Sequence, residues 1–319
     1  IFMIDKSLIG IGCWQIGGSN CNGNKNYGWN SKTKKFSYNL IEKAIELGFR
    51  YFDTAPGYGN GRSEIVLGQV LSNLNLSDIR ICTKVSYDQL ITNGGINWNS
   101  FEKLILKSMR NLKIQQLDTL LFHSPKMSNI NDEVKELFIN AKNKNLILNY
   151  GTSPGTINVL KKSLANKFGN HFQYNYSLLD NHVKPILKKY HDMGNHFIAR
   201  SILFRGLLSE KYLLGGYDFF FNDVRDNIPV EIRLWVFKNL KNLKLIALKF
   251  NLTVSELAFI YALEKKYFTK VLIGINSYEN ISSLNKILSK KSDEISEIYE
   301  DLKIYNSVNF KHINSKENL

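Results

Sequence analysis

Short apolar runs alternate with longer stretches of helical period along nearly the whole chain. Eight runs read as strands: 7–14 (SLIGIGCW), 49–55 (FRYFDTA), 79–85, 117–123 (LDTLLFH), 146–153, 171–176, 196–203 and 269–275. Each is close to continuously apolar, the pattern of a strand in a parallel sheet covered on its outer face. Between them, apolar residues recur three and four apart. In 37–48 they are Leu40, Ile41, Ala44, Ile45 and Leu47, closed by Gly48 as C-cap. The same period predicts helices over 63–74 with Ser63 as N-cap, 99–112 capped by Asn99 or Ser100, 131–145, 154–167, 183–194, 232–250, 253–266 and 278–290.

Eight strand–helix units over about 290 residues predict an α/β fold, a (β/α)8 TIM barrel in one domain with βα-loop insertions. Strand count does not itself show closure, so an open doubly wound sheet is the alternative. No Pro/Gly/Ser-rich linker interrupts the alternation. The barrel is assigned to 1–300 and a polar C-terminal tail to 301–319. The insertion LGGYDFFFNDVRDN at 214–227 follows the seventh strand and carries four aromatics. It reads as a lid or clasp over the strand ends, or as phenylalanines packed on the barrel.

Composition narrows the classes. With 44% hydrophobic and 22% charged residues, the chain is globular rather than disordered. The net charge of +14 permits an anionic partner. The lysines are scattered, however, and the densest groups (Lys32, Lys34 and Lys35, and the pair at Lys290) are short and interrupted. Without a basic stripe interleaved with aromatics, nucleic acid is not expected as a partner. Cys13, Cys21 and Cys82 form neither a zinc spacing nor a C-x-x-C pair, which fits a reducing cytoplasm. His171, His182, His191, His196 and His312 show no metal-ligand grouping. No run approaches 18 apolar residues, so no membrane partner is expected, and the N-terminal residues lack a signal-peptide pattern.

Two glycine clusters, GIGCWQIGG (10–18) and GYGNGRSE (57–64), fail as dinucleotide or phosphate loops. The first has the wrong spacing and no predicted helix behind it. Polar residues at strand ends are more informative, because barrel active sites lie on that face. Asp53 ends the second strand, Tyr58 sits in the next loop, Lys84 ends the third and His123 ends the fourth. A phenol is a poor acid near neutrality, and a neighbouring ammonium lowers its pKa. A carboxylate fixes the lysine, and an imidazole can hydrogen-bond a reacting oxygen. The set suits proton delivery to a carbonyl that receives a hydride.

These residues and their flanking words resemble the aldo-keto reductase family. AIELGFRYFDTAPGYGNGRSEIVLGQVL, ICTKV, SMRNLKIQQLDTLLFHSP, LNYGTSPGTINVL, FQYNYSLLD, IARSILFRGLLSEKY and VLIGINSYENISSL follow the family's order from Leu8 to Leu284. The resemblance implies a barrel that binds an extended nicotinamide dinucleotide and reduces an aldehyde or ketone, including a sugar or sugar derivative. It implies Tyr58 as general acid, Lys84 as its pKa modulator, Asp53 as the lysine's partner and His123 as the substrate-orienting residue. For the cofactor it implies Gly12, Cys13 and Trp14 beside the first strand, with Asp53 and Arg200 also facing the site. Ser153 and Gln173 would hold the carboxamide. Ser201, Leu203, Arg205 and Gly206 would take the pyrophosphate. Gly274, Asn276, Ser277, Glu279 and Asn280 would lie at the adenine end. The favoured cofactor is NADPH, with NADH the alternative.

Some positions depart from the family's pattern. Pro154 stands where an Asn commonly follows Ser153, Ile202 replaces a proline, and Leu284 replaces an Asn. Arg200 stands where a Tyr commonly lies against the nicotinamide, and its charge would disfavour the oxidised ring. No basic residue occupies the positions that often grip a 2′-phosphate, though Lys270 and Lys286 are near in sequence. Trp29 and Tyr87 are the substrate candidates, with Trp98 and Tyr176 behind them. Arg225 and Arg233 read as surface ion pairs, with contact to an anionic substrate as the alternative. The alternatives are a sugar or alcohol dehydrogenase running in reverse and a cofactor-sensing regulatory subunit of the same fold.

Overall fold

The computed structural model describes residues 5–22, 25–26, 28–30, 33–74, 78–91, 95–216, 223–263, 267–290 and 292–309. Eight parallel strands close into a barrel. They are β1 (Ile9–Gly12), β2 (Tyr51–Asp53), β3 (Arg80–Ser86), β4 (Leu117–His123), β5 (Ile147–Ser153), β6 (His171–Asn175), β7 (His196–Arg200) and β8 (Phe268–Gly274). Closure is made by β1, which pairs Gly12 with Asp53 on one side and with Gly274 on the other. The expected barrel is therefore the observed one, and the open sheet is excluded.

The surrounding helices are α1 (Lys34–Glu46), α2 (Arg62–Leu74), α3 (Trp98–Leu112), α4 (Asp132–Asn143), α5 (Ile157–Ala165), α6 (Lys184–Tyr190), α7 (Val230–Lys249), α8 (Val254–Ala262), α9 (Tyr278–Leu288) and α10 (Ser292–Asn309). Side chains of Thr33, Asn97, Asn131, Thr156 and Ser277 cap α1, α3, α4, α5 and α9, each accepting from an otherwise orphan amide.

Two apolar layers hold the barrel. Outside the strands, Phe101, Phe122, Phe138 and Phe168 are fully buried between the sheet and α3 and α4, with ring centroids 5.0–5.8 Å apart. Burying each such ring contributes about 1.5–3 kcal/mol. Inside, Tyr51, Cys82, Leu121, Ile198 and Leu272 form a separate buried cluster. It fills the barrel, so the interior is a packed floor rather than a pore.

Several local expectations change. The caps expected at Ser63 and at Asn99 or Ser100 are not the caps. Helix α2 begins at Arg62, before Ser63, and α3 is capped by Asn97. A short helix, Trp14–Gly17, does follow the first glycine cluster, but it is one turn long. Tyr87–Leu90, Glu210–Gly215 and a hairpin of Cys21–Asn22 with Lys25–Asn26 were not signalled by the apolar period. Helix α10 runs across the boundary drawn at 301, and 310–319 lie outside the described residues, as do 217–222 of the insertion. Among the described residues no single helix is long and apolar enough to cross a membrane.

At the opposite end of the barrel from the site, His171 and His196 pair in register, their rings stacked 4.6 Å apart. Burial, then the neighbouring His196 and Lys142, holds His171 down to about pKa 3. The unfolded chain takes up this proton near pH 6.5 and the folded chain does not, so stability is full above that pH and falls as pH drops toward 3. We expect His171 to lower stability by about 2 kcal/mol at pH 5 relative to pH 7. Urea unfolding of His171→Phe should show that much less acid sensitivity. Identical pH dependence in the two proteins would remove this role.

Candidate active site

A cavity of about 450 Å³ opens at the C-terminal ends of the strands, with Leu272 of the interior cluster in its floor. Its chemistry begins with Lys84, whose side chain is buried. An ammonium has three N–H donors, and each finds an acceptor: Asp53 Oδ1 at 2.7 Å, the Thr54 carbonyl at 2.9 Å and Tyr58 Oη at 3.2 Å. Burial works to lower the Lys84 pKa, but Asp53 and the other acidic neighbours reverse it, so the amine stays charged. Because the Tyr58 oxygen accepts from Lys84, its own proton is directed elsewhere, and Tyr58 lines the cavity. Burial raises the Tyr58 pKa, opposed first by Lys84 and less by Arg200, so the phenol holds its proton at neutral pH.

The loop carrying Tyr58 is fixed by the two glycine clusters, which meet here. A side chain on Gly17 would place its Cβ 2.6 Å from the Tyr58 carbonyl carbon. Gly59 has φ +62°, and a Cβ there would lie 2.0 Å from the Gly17 carbonyl oxygen. Trp14 then stacks on Tyr58 at 5.9 Å, and His123 stands edge-on to it at 6.1 Å. Behind the loop, Ser63 donates to the Cys13 carbonyl at 2.9 Å and pairs with the Thr54 hydroxyl at 2.8 Å. Buried Glu64 accepts from Thr83 at 2.8 Å and Asn111 at 3.0 Å. These bonds tie the start of α2 to the loop after β1, to β2, to β3 and to α3.

His123 lines the cavity, and neither ring nitrogen has a partner among the described residues. Burial, Lys84 and Arg200 hold its pKa down to about 3, so it is a neutral imidazole. On the far side, Ser153 donates to Gln173 Oε1 at 3.1 Å, and Gln173 Nε2 donates to Asp53 Oδ2 at 2.7 Å.

The remaining wall is cationic and strained. Arg200 donates to the Pro154 carbonyl at 3.1 Å. Neither Arg200 nor Arg205 has a carboxylate partner among the described residues, and burial lowers the pKa of both. Ser201, Phe204 and Arg205 adopt left-handed backbone at φ 59°, 48° and 55°, each an unfavourable conformation for a residue with a Cβ. Buried polar atoms of cavity-lining residues are also unpartnered: Gln15 Oε1, Trp29 Nε1, Asn175 Oδ1 and Arg200 Nε. Such atoms cost free energy unless a ligand or water meets them.

Most of the residues proposed from sequence converge here. Gly12, Trp14, Trp29, Asp53, Tyr58, His123, Ser153, Gln173, Arg200, Ser201, Leu203, Arg205, Gly206 and Gly274 line the cavity, with Lys84 directly behind Tyr58. Cys13 does not: its thiol is buried and faces the Ile11 carbonyl. Tyr87 packs on Phe122 instead of the cavity. Ser277 caps α9, and Asn280 Oδ1 accepts from the Asn276 amide. Those two, with Asn276 and Glu279, lie beyond the lining. Lys270 is drawn to the Ser7 carbonyl, and Lys286 to Asn251 and Glu256. Arg225 is no surface ion pair. It stacks 4.8 Å over Trp29 and is gripped by buried Asp223. Arg233 is also buried rather than exposed. Sequence reasoning missed Gln15, Gly57, Ser124, Gly155, Asn175 and Leu272. Of these, Asn175 ends β6, so the strand-end rule applied there would have found it.

The Aldo/keto reductase family model matches residues 8–301. The uncharacterized oxidoreductase YqkF of Bacillus subtilis is 28% identical over 66% of this chain and 65% of its own length. A candidate voltage-gated potassium channel subunit beta of Schizosaccharomyces pombe is 24% identical over 92% of each chain. The NADH-specific methylglyoxal reductase of Escherichia coli is 25% identical over 90% of this chain and 92% of its own. Among solved structures, the holo form of aldo-keto reductase AKR11C1 from Bacillus halodurans superposes with a TM-score of 0.71 at 22% identity. It covers 92% of this chain and 91% of its own. An aldo/keto reductase from Klebsiella pneumoniae in complex with NADP and acetate gives 0.66 at 16% identity, covering 92% and 91%.

The buried pair at the centre of the site has a direct consequence for stability. Lys84→Met leaves the Asp53 carboxylate buried without its cation and is expected to cost about 3–5 kcal/mol. Asp53→Leu with Lys84→Met should recover part of that loss. Urea midpoints of the three proteins check it, and a fully stable single variant would contradict the geometry.

Proposed function

The chain belongs to the aldo/keto reductase family, and we propose that it reduces an aldehyde or ketone to an alcohol, with Tyr58 as general acid and NADPH as cofactor. The observation that carries this reading is the three-acceptor arrangement at Lys84, which leaves the Tyr58 hydroxyl proton for the cavity. The cationic, partly unsatisfied wall fits a dinucleotide. Arg205 and the strained loop Ser201–Gly206 would face its pyrophosphate. Ser153 and Gln173 would hold the carboxamide, and Gly12, Trp14 and Gly274 would border the rest. When bound, the reduced nicotinamide supplies the hydride to the carbonyl carbon.

The protein's own part is the proton. His123, neutral and free to donate through one ring nitrogen, hydrogen-bonds the carbonyl oxygen and orients it. As the C=O π bond breaks and the carbon gains its C–H bond, Tyr58 gives its proton to the oxygen. The phenolate left behind is stabilised by the Lys84 ammonium 3.2 Å away. Solvent restores the proton after the alcohol leaves. Trp14 and Trp29, edge to face at 5.6 Å, form an apolar wall beside Tyr58. The substrate class we favour is a small carbonyl, with sugars and sugar derivatives in the same test panel. The reverse oxidation uses the same groups in the opposite order.

NADPH is favoured by the family, and the E. coli relative named as NADH-specific makes NADH the comparison to run. Lys270 donates to the Ser7 carbonyl, and Lys286 to the Asn251 carbonyl and Glu256. The S. pombe channel-subunit relative favours a second reading, a cofactor-sensing subunit. Turnover separates the two.

Tyr58→Phe should lower turnover at least about 100-fold, while cofactor still quenches the fluorescence of Trp14 and Trp29. Wild-type turnover in that variant would remove Tyr58 from the mechanism. Arg200 places a cation on the wall, so reduced cofactor should bind roughly tenfold tighter than oxidised. Arg200→Leu should narrow that ratio in fluorescence titrations. Tighter binding of the oxidised form by the wild type would refute the charge argument.

A further inference from the structure

Asp53 is reached from two sides. Lys84 donates to Oδ1 at 2.7 Å and Gln173 donates to Oδ2 at 2.7 Å, so each oxygen has its own donor. The orientation of the Gln173 amide is fixed by chemistry. A carboxylate paired with an ammonium only accepts, so Gln173 must turn its nitrogen to Asp53. Its oxygen then faces Ser153, which donates at 3.1 Å. Ser153, Gln173, Asp53 and Lys84 are all buried, where little solvent screens one group from the next. The chain runs from β5 through β6 to β2 and β3 and ends at the Tyr58 oxygen. Ser153 and Gln173 also line the cavity.

We propose that Gln173 is a positioning residue that sets the proton affinity of Tyr58 through Asp53, so that a ligand taking up the Gln173 amide changes that affinity. The proposal rests on the reading of Tyr58 as general acid. The Gln173 N–H offsets part of the Asp53 charge. Removing it makes the potential at Tyr58 more negative and the phenolate less favourable. A ligand that recruits the amide and returns no donor to Asp53 has the same effect, and one that returns a donor cancels it. By reciprocity, ligand affinity then depends on the Tyr58 proton. The charged and titratable groups facing this pair are Lys84 from β3, His123 from β4, Arg200 from β7, Cys13 after β1, and Tyr51 and Cys82 in the floor. None of them is altered in the variants below.

The test reads the Tyr58 proton directly in the cofactor-free, full-length protein. Tyrosine labelled with 13C at Cζ reports phenolate by NMR, and the Tyr58→Phe spectrum identifies the resonance. Gln173→Leu should move the Tyr58 titration upward by about half to one pH unit. Ser153→Ala, which removes the donor that anchors the Gln173 oxygen and so loosens the amide's hold on Asp53, should move it the same way by less, and Ser153→Thr should restore the wild-type curve. Saturating NADPH should shift the wild-type titration and shift that of Gln173→Leu by less. A Gln173→Leu curve that coincides with wild type, or moves downward, overturns the proposal. Should Gln173→Leu not fold, an unchanged curve in Ser153→Ala overturns it equally. Failure of the reductase reading has a different signature: no turnover with any carbonyl, while the cofactor-free titrations still decide the role of Gln173.

Discussion

A lysine ammonium buried in the top of a barrel sets the terms for everything around it. Lys84 is 1% exposed, and an isolated ammonium in that position would give up its proton or unfold its surroundings. Three acceptors at fixed distances prevent both. Meeting them requires β2 to end at Asp53, the chain to present the Thr54 carbonyl, and the next loop to fold back so that Tyr58 arrives on the same nitrogen. That fold-back is held by glycines at 17 and 59 and by buried Ser63 and Glu64. Groups with no chemistry of their own are thus required by the one charge that does the tuning.

The cavity's electrostatics follow from which cations are already matched. Lys84 is balanced by Asp53, and Arg225 by Asp223. Arg200 and Arg205 have no such counterion among the described residues. The large basic excess of the composition therefore matters at two side chains of the rim. The rest is distributed over solvated helix faces, where ion pairs contribute little. A polyanion-binding role is not needed to account for it.

How much of this was legible in the sequence depended on the kind of signal. Buried strands and amphipathic helices announce themselves by period, and all eight strands fell within a few residues of their observed bounds. Rim residues were legible by a geometric rule, since a polar residue ending a barrel strand faces the active end. What stayed hidden has no local signature. Ser63 resembles a helix cap by type, yet its hydroxyl bonds the Cys13 carbonyl 50 residues away in sequence. Gln173 and Asp53 are 120 residues apart. Cys13 and Trp14 are neighbours, but only Trp14 turns to the cavity, because the helix beginning there rotates one side chain out and leaves the thiol in the core. The direction of Lys270 and Lys286 is likewise set by distant partners, the Ser7 carbonyl for one and Glu256 for the other.

The closure of the barrel has a consequence for how the protein is made. Gly12 and Gly274 are register partners, so the first strand waits for the last. At about 5–20 residues per second, roughly 13–50 s of synthesis separate the two. Until β8 is made the strands already synthesised cannot close, because β8 is the partner that joins β7 to β1. A nascent chain stalled between residues 123 and 268 carries Asp53, Tyr58, Lys84 and His123 and has no closed barrel to put them in.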